Sequence, residues 1–294
     1  MPEYINKIRT ASGDLPINYE ALANLPPNPN LLINANFRNP VNQRNKGSYS
    51  YTSGDTSKVY TIDRWWLNGV GASLTFNDGY MRVSLPAGCD FGQGLEIKYT
   101  DFSSVTVSVK FRNDSIVKTA TLNGLSSMSE STEAFVNLTT NVKVGFFVFG
   151  HGIYMFLRPI SGTVTMDIEW IKLENGSAAT QFIPKPYQEE LFMCHYYYRI
   201  LSNGFFLGMA IVNSESITMP ITGIDKMRLD EPVMTVDNLI FNPLSTSVDK
   251  YVSITGGYAM LNSWCSIASF VKSNAVTGEV GRIYGTIILD AEIY

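Results

Sequence analysis

The chain has 294 residues and a formal net charge of −4, with 45% hydrophobic but only 16% charged residues. This length allows two domains of ordinary size, and the charged share is below the roughly 25% that is usual for soluble domains. No cluster of lysine and arginine occurs, so we predict no nucleic-acid binding, which would need a basic patch. The longest uncharged apolar run, residues 144–157, is shorter than the ~20 residues that span a bilayer, so we predict no membrane insertion.

The first 30 residues differ from the rest of the chain. Residues 20–25 fit one helical turn, and Pro26, Pro27 and Pro29 then favour an extended linker. The segment contains too few apolar residues to fold alone, so we expect it to become ordered only against a neighbouring protein. No apolar stretch follows Met1, so we also expect no signal peptide.

Residues 31–183 predict a first globular β domain. Met81, Val83 and Leu85 alternate with polar residues, as a half-buried strand requires, and residues 105–111 do the same. Further strand patterns lie near residues 93–99, 116–122, 142–149, 153–158 and 163–173. Several short strands separated by Gly, Asn, Asp and Ser are typical of a β-sandwich or jelly roll.

A connection follows this domain. Residues 164–170 alternate as a strand, and residues 175–177 end it with turn chemistry. Pro184 and Pro186 then hold the chain extended and prevent a helix there. Gln188, Glu189 and Glu190 favour a helix start, because the negative charge of the two glutamates suits the helix dipole.

We predict that this helix spans residues 189–201. It would place Leu191, Cys194, Tyr198 and Leu201 on one stripe. Tyr196 and Tyr197 would face another way and stay exposed in a monomer, whereas a symmetric assembly would bury them. The candidates for an oligomer interface are therefore Tyr196, Tyr197 and Tyr198.

Residues 184–294 predict a second β domain. Strand patterns lie near residues 204–213, 216–221, 233–240, 250–256, 264–272 and 279–293. The three cysteines, Cys89, Cys194 and Cys265, are far apart and odd in number, which argues against a disulfide scaffold or a zinc site. We therefore expect them to be small buried side chains.

The connection also carries a resemblance to a known family. A strand with a KLE-G-like turn, the pattern AT-x-F-x-P-x-P-Y-x-E-E-L, a cysteine and paired tyrosines together resemble a junction in tail-fibre and receptor-binding proteins of tailed bacteriophages. The matching residues are Lys172, Leu173, Glu174, Gly176, Ala179, Thr180, Phe182, Pro184, Pro186, Tyr187, Glu189, Glu190, Leu191, Cys194, Tyr197 and Tyr198. The opening residues 30–37 and the D-R-W element at 63–65 resemble the jelly-roll domain of phage tail proteins, which is similar to carbohydrate-binding modules.

The resemblance implies an all-β protein of the virion tail, made in the host cytoplasm, with no catalysis and no cofactor. Residues 1–30 would attach to other tail or baseplate proteins, residues 31–183 would form the carbohydrate-binding-module-like jelly roll, and residues 184–294 would follow a short linking helix as a β-sandwich head domain. Phage fibres are commonly homotrimers, so we expect threefold symmetry. A structural calcium stays open, since backbone carbonyls can bind it and leave little trace in a sequence.

A host cell-surface polysaccharide is the expected ligand. A flat aromatic ring stacks on the apolar face of a sugar, while amides and carboxylates bind its hydroxyls. Trp65 and Trp66 are adjacent and would point to opposite faces of a strand, so we expect at most one of them in the core and the other exposed or covered by a partner. The candidates for ligand contact are Tyr49, Tyr51, Tyr60 and Trp66 in the first domain, and Tyr251, Tyr258, Asn262 and Trp264 in the second. Plain packing is the alternative for each of them.

Other function classes are weaker. No G-x-S-x-G, H-E-x-x-H, C-x-x-C or P-loop pattern occurs, and His151 and His195 fall in different predicted domains. Glycoside hydrolysis needs only two carboxylates, so Asp63, Asp167 and Glu169 keep a polysaccharide depolymerase as an alternative. A purely structural tail component and a stand-alone carbohydrate-binding protein are further alternatives; the latter predicts an export signal.

Overall fold

A computed structural model describes residues 7–10, 13–16, 28–55, 57–149, 152–202, 211–212, 216–220, 227, 232–243, 252–261, 266–272 and 281–292. Strands dominate these residues, so the all-β prediction is confirmed. The helices in this part of the chain are all too short or too polar to cross a bilayer.

The strands are numbered in chain order. They are β1 (Lys7–Thr10), β2 (Gly13–Pro16), β3 (Ser48–Ser50), β4 (Val59–Tyr60), β5 (Trp65–Asn68), β6 (Ser73–Asn77), β7 (Tyr80–Leu85), β8 (Asp90–Leu95), β9 (Ser104–Phe111), β10 (Lys118–Asn123), β11 (Glu133–Asn137), β12 (Val142–Phe149), β13 (Gly152–Pro159), β14 (Val164–Asn175), β15 (Tyr198–Ser202), β16 (Ile211–Val212), β17 (Ser216–Pro220), β18 (Val233–Pro243), β19 (Val252–Leu261), β20 (Ser266–Lys272) and β21 (Gly281–Asp290). An α-helix, α1 (Tyr187–His195), and two short 3₁₀ helices at Tyr99–Asp101 and Leu125–Ser127 complete the set.

Strands β1 and β2 form an antiparallel hairpin near the start of the chain. The helical turn predicted at residues 20–25 lies outside the described residues. From Asn28 onward the chain is attached to the end of β14. The Asn30 side chain donates to the carbonyl of Ile171 at 2.9 Å and accepts from the backbone N–H of Leu173 at 2.9 Å. These bonds fix the entry of the chain against the strand that also ends the sandwich.

Two six-stranded sheets enclose the main core. The first has the order β10-β9-β14-β7-β6-β3, and the second has the order β11-β12-β13-β8-β5-β4. One continuous apolar cluster contains Val83 and Val107 from the first sheet together with Phe91, Phe146 and Met155 from the second. The sheets therefore pack face to face in a sandwich-like arrangement. The alternation predicted along β7 is confirmed by its burial pattern. In β9 the predicted strand is present, but its exposure does not alternate, because Thr106 and Ser108 are buried together with the three valines between 105 and 109.

The connection to the third sheet begins as predicted and ends differently. Residues 179–186 form no helix or strand, and α1 begins immediately after Pro186 with Glu189 and Glu190 in its first turn. The prediction that the helix continues to residue 201 is wrong, because β15 begins at Tyr198 and pairs with β21. Aromatic and β-branched residues favour a strand at this point, and β21 supplies the hydrogen-bond partners.

The last strands form a seven-stranded sheet with the order β15-β21-β18-β19-β20-β17-β16. All neighbouring pairs in it are antiparallel. Among the described residues these strands belong to one sheet, so a second β-sandwich stays a prediction.

Candidate functional site

A row of aromatic rings crosses the second sheet on the face that points away from the main core. The cross-strand partners along this row alternate between aromatic residues and glycine. In spatial order they are Phe135, Gly145, Phe156, Gly92, Trp66 and Tyr60. Phe147, Phe149 and Tyr154 flank the row on β12 and β13. We call these seven rings the aromatic belt (Tyr60, Trp66, Phe135, Phe147, Phe149, Tyr154 and Phe156).

The two glycines make room for rings that lie flat on the sheet. A Cβ atom built on Gly145 would be 2.3 Å from Cε2 of Phe156, and one built on Gly92 would be 2.8 Å from Cζ2 of Trp66. Both distances are far below van der Waals contact. The rings of Phe156 and Trp66 therefore pack directly against the backbone of β8 and β12.

Burial varies along the belt. Trp66, Tyr154 and Phe156 are buried in a small cluster separate from the main core, with Trp66 only 2% exposed. Phe149 is 59% exposed, and its ring stacks on that of Phe147 with centroids 6.2 Å apart. The belt thus has a packed centre and an open end.

Four cations lie over belt rings, and one of them is Arg44 of the region beside the belt, whose guanidinium is 5.8 Å from the ring centroid of Tyr60. The Lys58 ammonium is 3.7 Å from the ring centroid of Tyr154, and the Lys143 ammonium is 3.9 Å from that of Phe135. The Arg158 guanidinium lies 4.8 Å from the ring centroid of Phe156. Arg158 is held by carboxylates, with two bonds to Asp90 at 2.6 and 2.9 Å and another to Glu133. The lysines form no ion pair within the described part of the chain.

Two groups in the belt lack the partners that buried polar groups usually have. The indole Nε1 of Trp66 is buried and donates to no acceptor in the described residues. Burial against the rings lowers the pKa of the Lys58 ammonium to about 8. A buried donor without an acceptor costs free energy, and so does a desolvated ammonium without a counter-ion. Both groups favour a ligand that carries oxygen atoms.

Tyr49 and Tyr51, which the sequence suggested as ligand contacts, belong to the main core. The hydroxyl of Tyr49 donates to Oδ1 of Asn42 at 2.6 Å, and that of Tyr51 donates to the carbonyl of Asp55 at 2.9 Å. Both rings are buried, and in β3 the side chain of Tyr49 faces the sandwich interior. This placement gives no support to ligand stacking on either ring.

The expectation that only one of the adjacent tryptophans is buried by the chain itself is wrong. Trp65 faces the main core and stacks on Phe91 with centroids 4.7 Å apart. Trp66 faces the opposite side, as the strand geometry predicts, yet the belt covers it. Tyr60, the remaining candidate in the first domain, is half-buried at the end of the row.

For the four candidates in the second domain, the structure describes at most the backbone. Tyr251, Asn262 and Trp264 lie outside the described residues. The backbone of Tyr258 lies in β19, opposite Ser269 of β20.

The paired tyrosines after α1 lie in a buried junction between the sandwich and the third sheet. The Arg64 guanidinium is 3.4 Å from the ring centroid of Tyr197, and the Arg44 guanidinium is 3.8 Å from that of Tyr198. Tyr197 and Tyr198 are both buried, so the expectation that a monomer would leave Tyr197 exposed is wrong: Arg64 of the same chain covers it. Tyr196 is 37% exposed and stays a candidate for an interface.

Charged side chains from both ends of the chain meet in this junction. Arg64 Nη1 pairs with Oε2 of Glu292 at 2.9 Å, and both side chains are almost completely buried. Arg44 lies 3.4 Å from Asp63 and 3.4 Å from Asp290. We call these five residues the junction cluster (Arg44, Arg64, Asp63, Asp290 and Glu292). It links the β5 region of the sandwich to the end of β21.

Burial raises the pKa of Asp63 to about 7. The charge of Glu292 acts in the same direction, while a hydrogen bond from Gln43 and the charge of Arg44 oppose it. Asp63 thus lies beside Arg44, at 3.4 Å, as a member of a buried ion-pair cluster.

The other two candidate carboxylates are also held by arginines. Asp167 accepts two bonds from Arg82, at 2.7 and 2.8 Å, and these bonds lower the pKa of Asp167. Glu169 pairs with Arg38. The described residues contain no cluster of three or more His, Cys, Asp or Glu side chains that could hold a metal ion.

No family model matches the chain, and no curated protein or solved structure matches it significantly.

Sequence reasoning missed most of the belt. The sequence pattern predicts strands at residues 142–149 and 153–158, but it does not show that their aromatic residues form a surface. The available signal was the outward alternation of Gly145, Phe147 and Phe149 in β12, which places these residues on one face.

Proposed function

We propose that this protein is a non-catalytic receptor-binding component of a bacteriophage tail, and that the aromatic belt binds a host cell-surface polysaccharide. The observation that carries the proposal is the belt itself, a continuous aromatic row across one sheet with an open end at Phe149. Flat rings on a sheet face offer the surface on which the apolar side of a sugar stacks. The polar groups at its edges would bind hydroxyls.

The rest of the proposed organisation follows the family resemblance. Residues 1–30 would attach the protein to other tail or baseplate proteins, residues 31–183 would form a carbohydrate-binding-module-like jelly roll, and residues 184–294 would form the head. The virion tail would be its location. Three copies would present three belts, and repeated weak sites raise avidity without new contacts.

Exposed apolar side chains on α1 support an assembly. Phe192 is 65% exposed and Tyr196 is 37% exposed, and Ile183 just before the helix is 57% exposed. Large exposed apolar side chains close together are typical of interaction surfaces. Light scattering tests the trimer: a mass near three times 32.7 kDa supports it, and a mass of 32.7 kDa contradicts it.

The binding proposal is tested with a double variant, Phe147→Ala/Phe149→Ala, on an array of bacterial polysaccharides and on host cells. We expect at least a tenfold loss of binding, because the stacking of a nucleic-acid base on an aromatic ring is worth about 1–3 kcal/mol, and we expect a sugar to gain a similar amount. The matched control is Ile116→Ala, which removes a side chain that is 63% exposed on the loop between β9 and β10.

Unchanged binding in the double variant would place the ligand elsewhere. If the unmodified protein binds neither glycans nor cells and still assembles, the purely structural alternative is correct. Release of sugar fragments from a bound polysaccharide would instead support the depolymerase alternative, and Asp63, Asp167 and Glu169 would then be substituted in turn.

A further inference from the structure

The cations of the belt fall into two classes. Arg158 is neutralised by Asp90 and Glu133, as described above. Lys58 and Lys143 each lie over a ring but form no ion pair with any residue that the structure describes. Within the described residues, a chain with a net charge of −4 thus keeps two ammonium groups without an ion pair on the aromatic belt.

Asp90 does not neutralise Lys58. It attracts the Lys58 ammonium through space, but both oxygens of Asp90 already accept bonds from Arg158. A lysine above a ring gains about 0.5–1 kcal/mol at an exposed site, whereas a hydrogen bond to a charged group contributes about 1.5–3 kcal/mol. An anionic ligand can therefore compete successfully with the rings for either lysine.

The two lysines lie toward opposite ends of the aromatic row. Lys143 covers Phe135 on β11, whereas Lys58 lies between Tyr154 on β13 and Trp66 on β5, at centroid distances of 3.7 and 4.8 Å. These two strands are two and four spacings from β11, which is about 10 to 19 Å at roughly 4.8 Å per spacing. A ligand that contacts both lysines must be extended and must carry more than one negative charge.

We propose that the belt selects an acidic polysaccharide, whose repeated carboxylate or phosphate groups pair with Lys58 and Lys143 while its sugar rings stack on the belt. This inference rests on the proposed function and specifies its ligand class. When an anionic group draws Lys58 off the rings, the faces of Trp66 and Tyr154 are uncovered. The unpaired Nε1 of Trp66 then has a sugar oxygen within reach as an acceptor.

The test compares four proteins on one array of neutral, carboxylate-bearing and phosphate-bearing bacterial polysaccharides at 50 and 500 mM NaCl. The proteins are the unmodified chain, Lys58→Gln/Lys143→Gln, Phe147→Ala/Phe149→Ala and a control, Lys118→Gln, whose lysine pairs with Asp114 on the first sheet. We expect the unmodified chain to bind acidic polysaccharides only. We also expect at least a tenfold loss in the lysine double variant and at high salt, and no change in the control.

The outcomes separate the two proposals. Binding of neutral polysaccharides that the phenylalanine variant loses and the lysine variant keeps would overturn the acidic ligand and leave the proposed function intact. Binding that neither double variant changes, or no binding at all, would overturn both. Preference between the carboxylate and phosphate arms identifies which anionic group the lysines recognise.

Discussion

The aromatic belt and the junction cluster both place cations over aromatic rings, but they differ in charge balance. In the junction, Arg64 is bonded to Glu292, and both side chains are almost completely buried. In the belt, Lys58 and Lys143 are half-buried and unpaired within the described residues. The same type of ring contact therefore serves two purposes. In the junction, carboxylates pair with the cations, and the contact stabilises a packed interface. In the belt, the lysines have no such carboxylate, and we expect them to bind a ligand.

The junction cluster also contains a buried titratable group. Asp63 is completely buried beside Arg44, and the charge of Glu292 acts on it in the same cluster. Asp63 is the residue whose pKa rises as a result of its burial. We therefore expect the stability of the junction to depend on pH, and the ligand binding of the belt to depend on negative charge in the ligand.

The largest expected effect comes from Arg64→Ala, which should lower the free energy of unfolding by about 3–5 kcal/mol. Removing one partner of a buried ion pair leaves the carboxylate of Glu292 with only the more distant Arg44, at 3.9 Å. Urea unfolding measures the change. The control is Arg38→Ala, whose side chain is 54% exposed in its pair with Glu169 and which should cost less than about 1 kcal/mol. Equal small losses in both variants would mean that the junction is not a rigid interface.

The next effect concerns Gly145, a glycine against which a belt ring packs. Gly145→Ala should destabilise the protein by about 1–3 kcal/mol, because the added methyl group meets the Phe156 ring and overpacks the cluster. It should also weaken polysaccharide binding by displacing that ring. Gly47→Ala is the matched control, since nothing lies within 4 Å of its Cβ position. Thermal unfolding and the polysaccharide array test both effects, and an unchanged Gly145→Ala protein would mean that the rings do not rest on the sheet.

Residue patterns within short stretches of sequence correctly predicted the strands and the helix start that depend on residues close together in the chain. Alternation along residues 80–85 and 105–111 identified β7 and β9, and Pro186 followed by acidic residues identified the start of α1. The end of α1 was not predictable in this way. β15 exists because β21 pairs with it, and these strands are about 85 residues apart.

The belt escaped prediction for the same reason. Trp66, Gly92 and Phe156 become neighbours only through the register of β5, β8 and β13, which no local pattern specifies. The alternation of a strand correctly turns Trp66 away from Trp65, but the cover of Trp66 comes from distant strands. The burial of Tyr197 was equally hidden, because Arg64 lies more than 130 residues earlier in the chain.

The pH dependence of stability sharpens the description of the junction. The pKa of Asp63 is about 7 in the folded protein and 3.8 without the fold, so the native state keeps a proton that the unfolded chain has lost. The stability from Asp63 is therefore fully present below pH 3.8 and is lost as the pH rises to about 7. For one group the slope is at most about 1.4 kcal/mol per pH unit.

Urea unfolding at pH 4.5, 5.5, 6.5 and 7.5 measures this slope. Glu190, whose pKa burial also raises, contributes in the same direction. The comparison is therefore between the unmodified protein and Asp63→Asn, which cannot ionise. The variant should be less stable overall, since its amide faces the donors of Gln43 and Arg44, but its slope should be smaller. Identical slopes in the two proteins would exclude Asp63 as the titrating group.

The smallest expected effect is at Phe149, at the open end of the belt, and it is compared with the effect at Phe146 in the core. Phe149→Ala should change the free energy of unfolding by less than about 0.5 kcal/mol, because its ring is 59% exposed and contacts mainly Phe147. Phe146→Ala, on the core side of the same strand, should cost about 3–5 kcal/mol. A loss above about 1 kcal/mol in Phe149→Ala would make the open end a packing element like the junction. A neutral Phe149→Ala that still loses polysaccharide binding would show that this ring serves the ligand and not the fold.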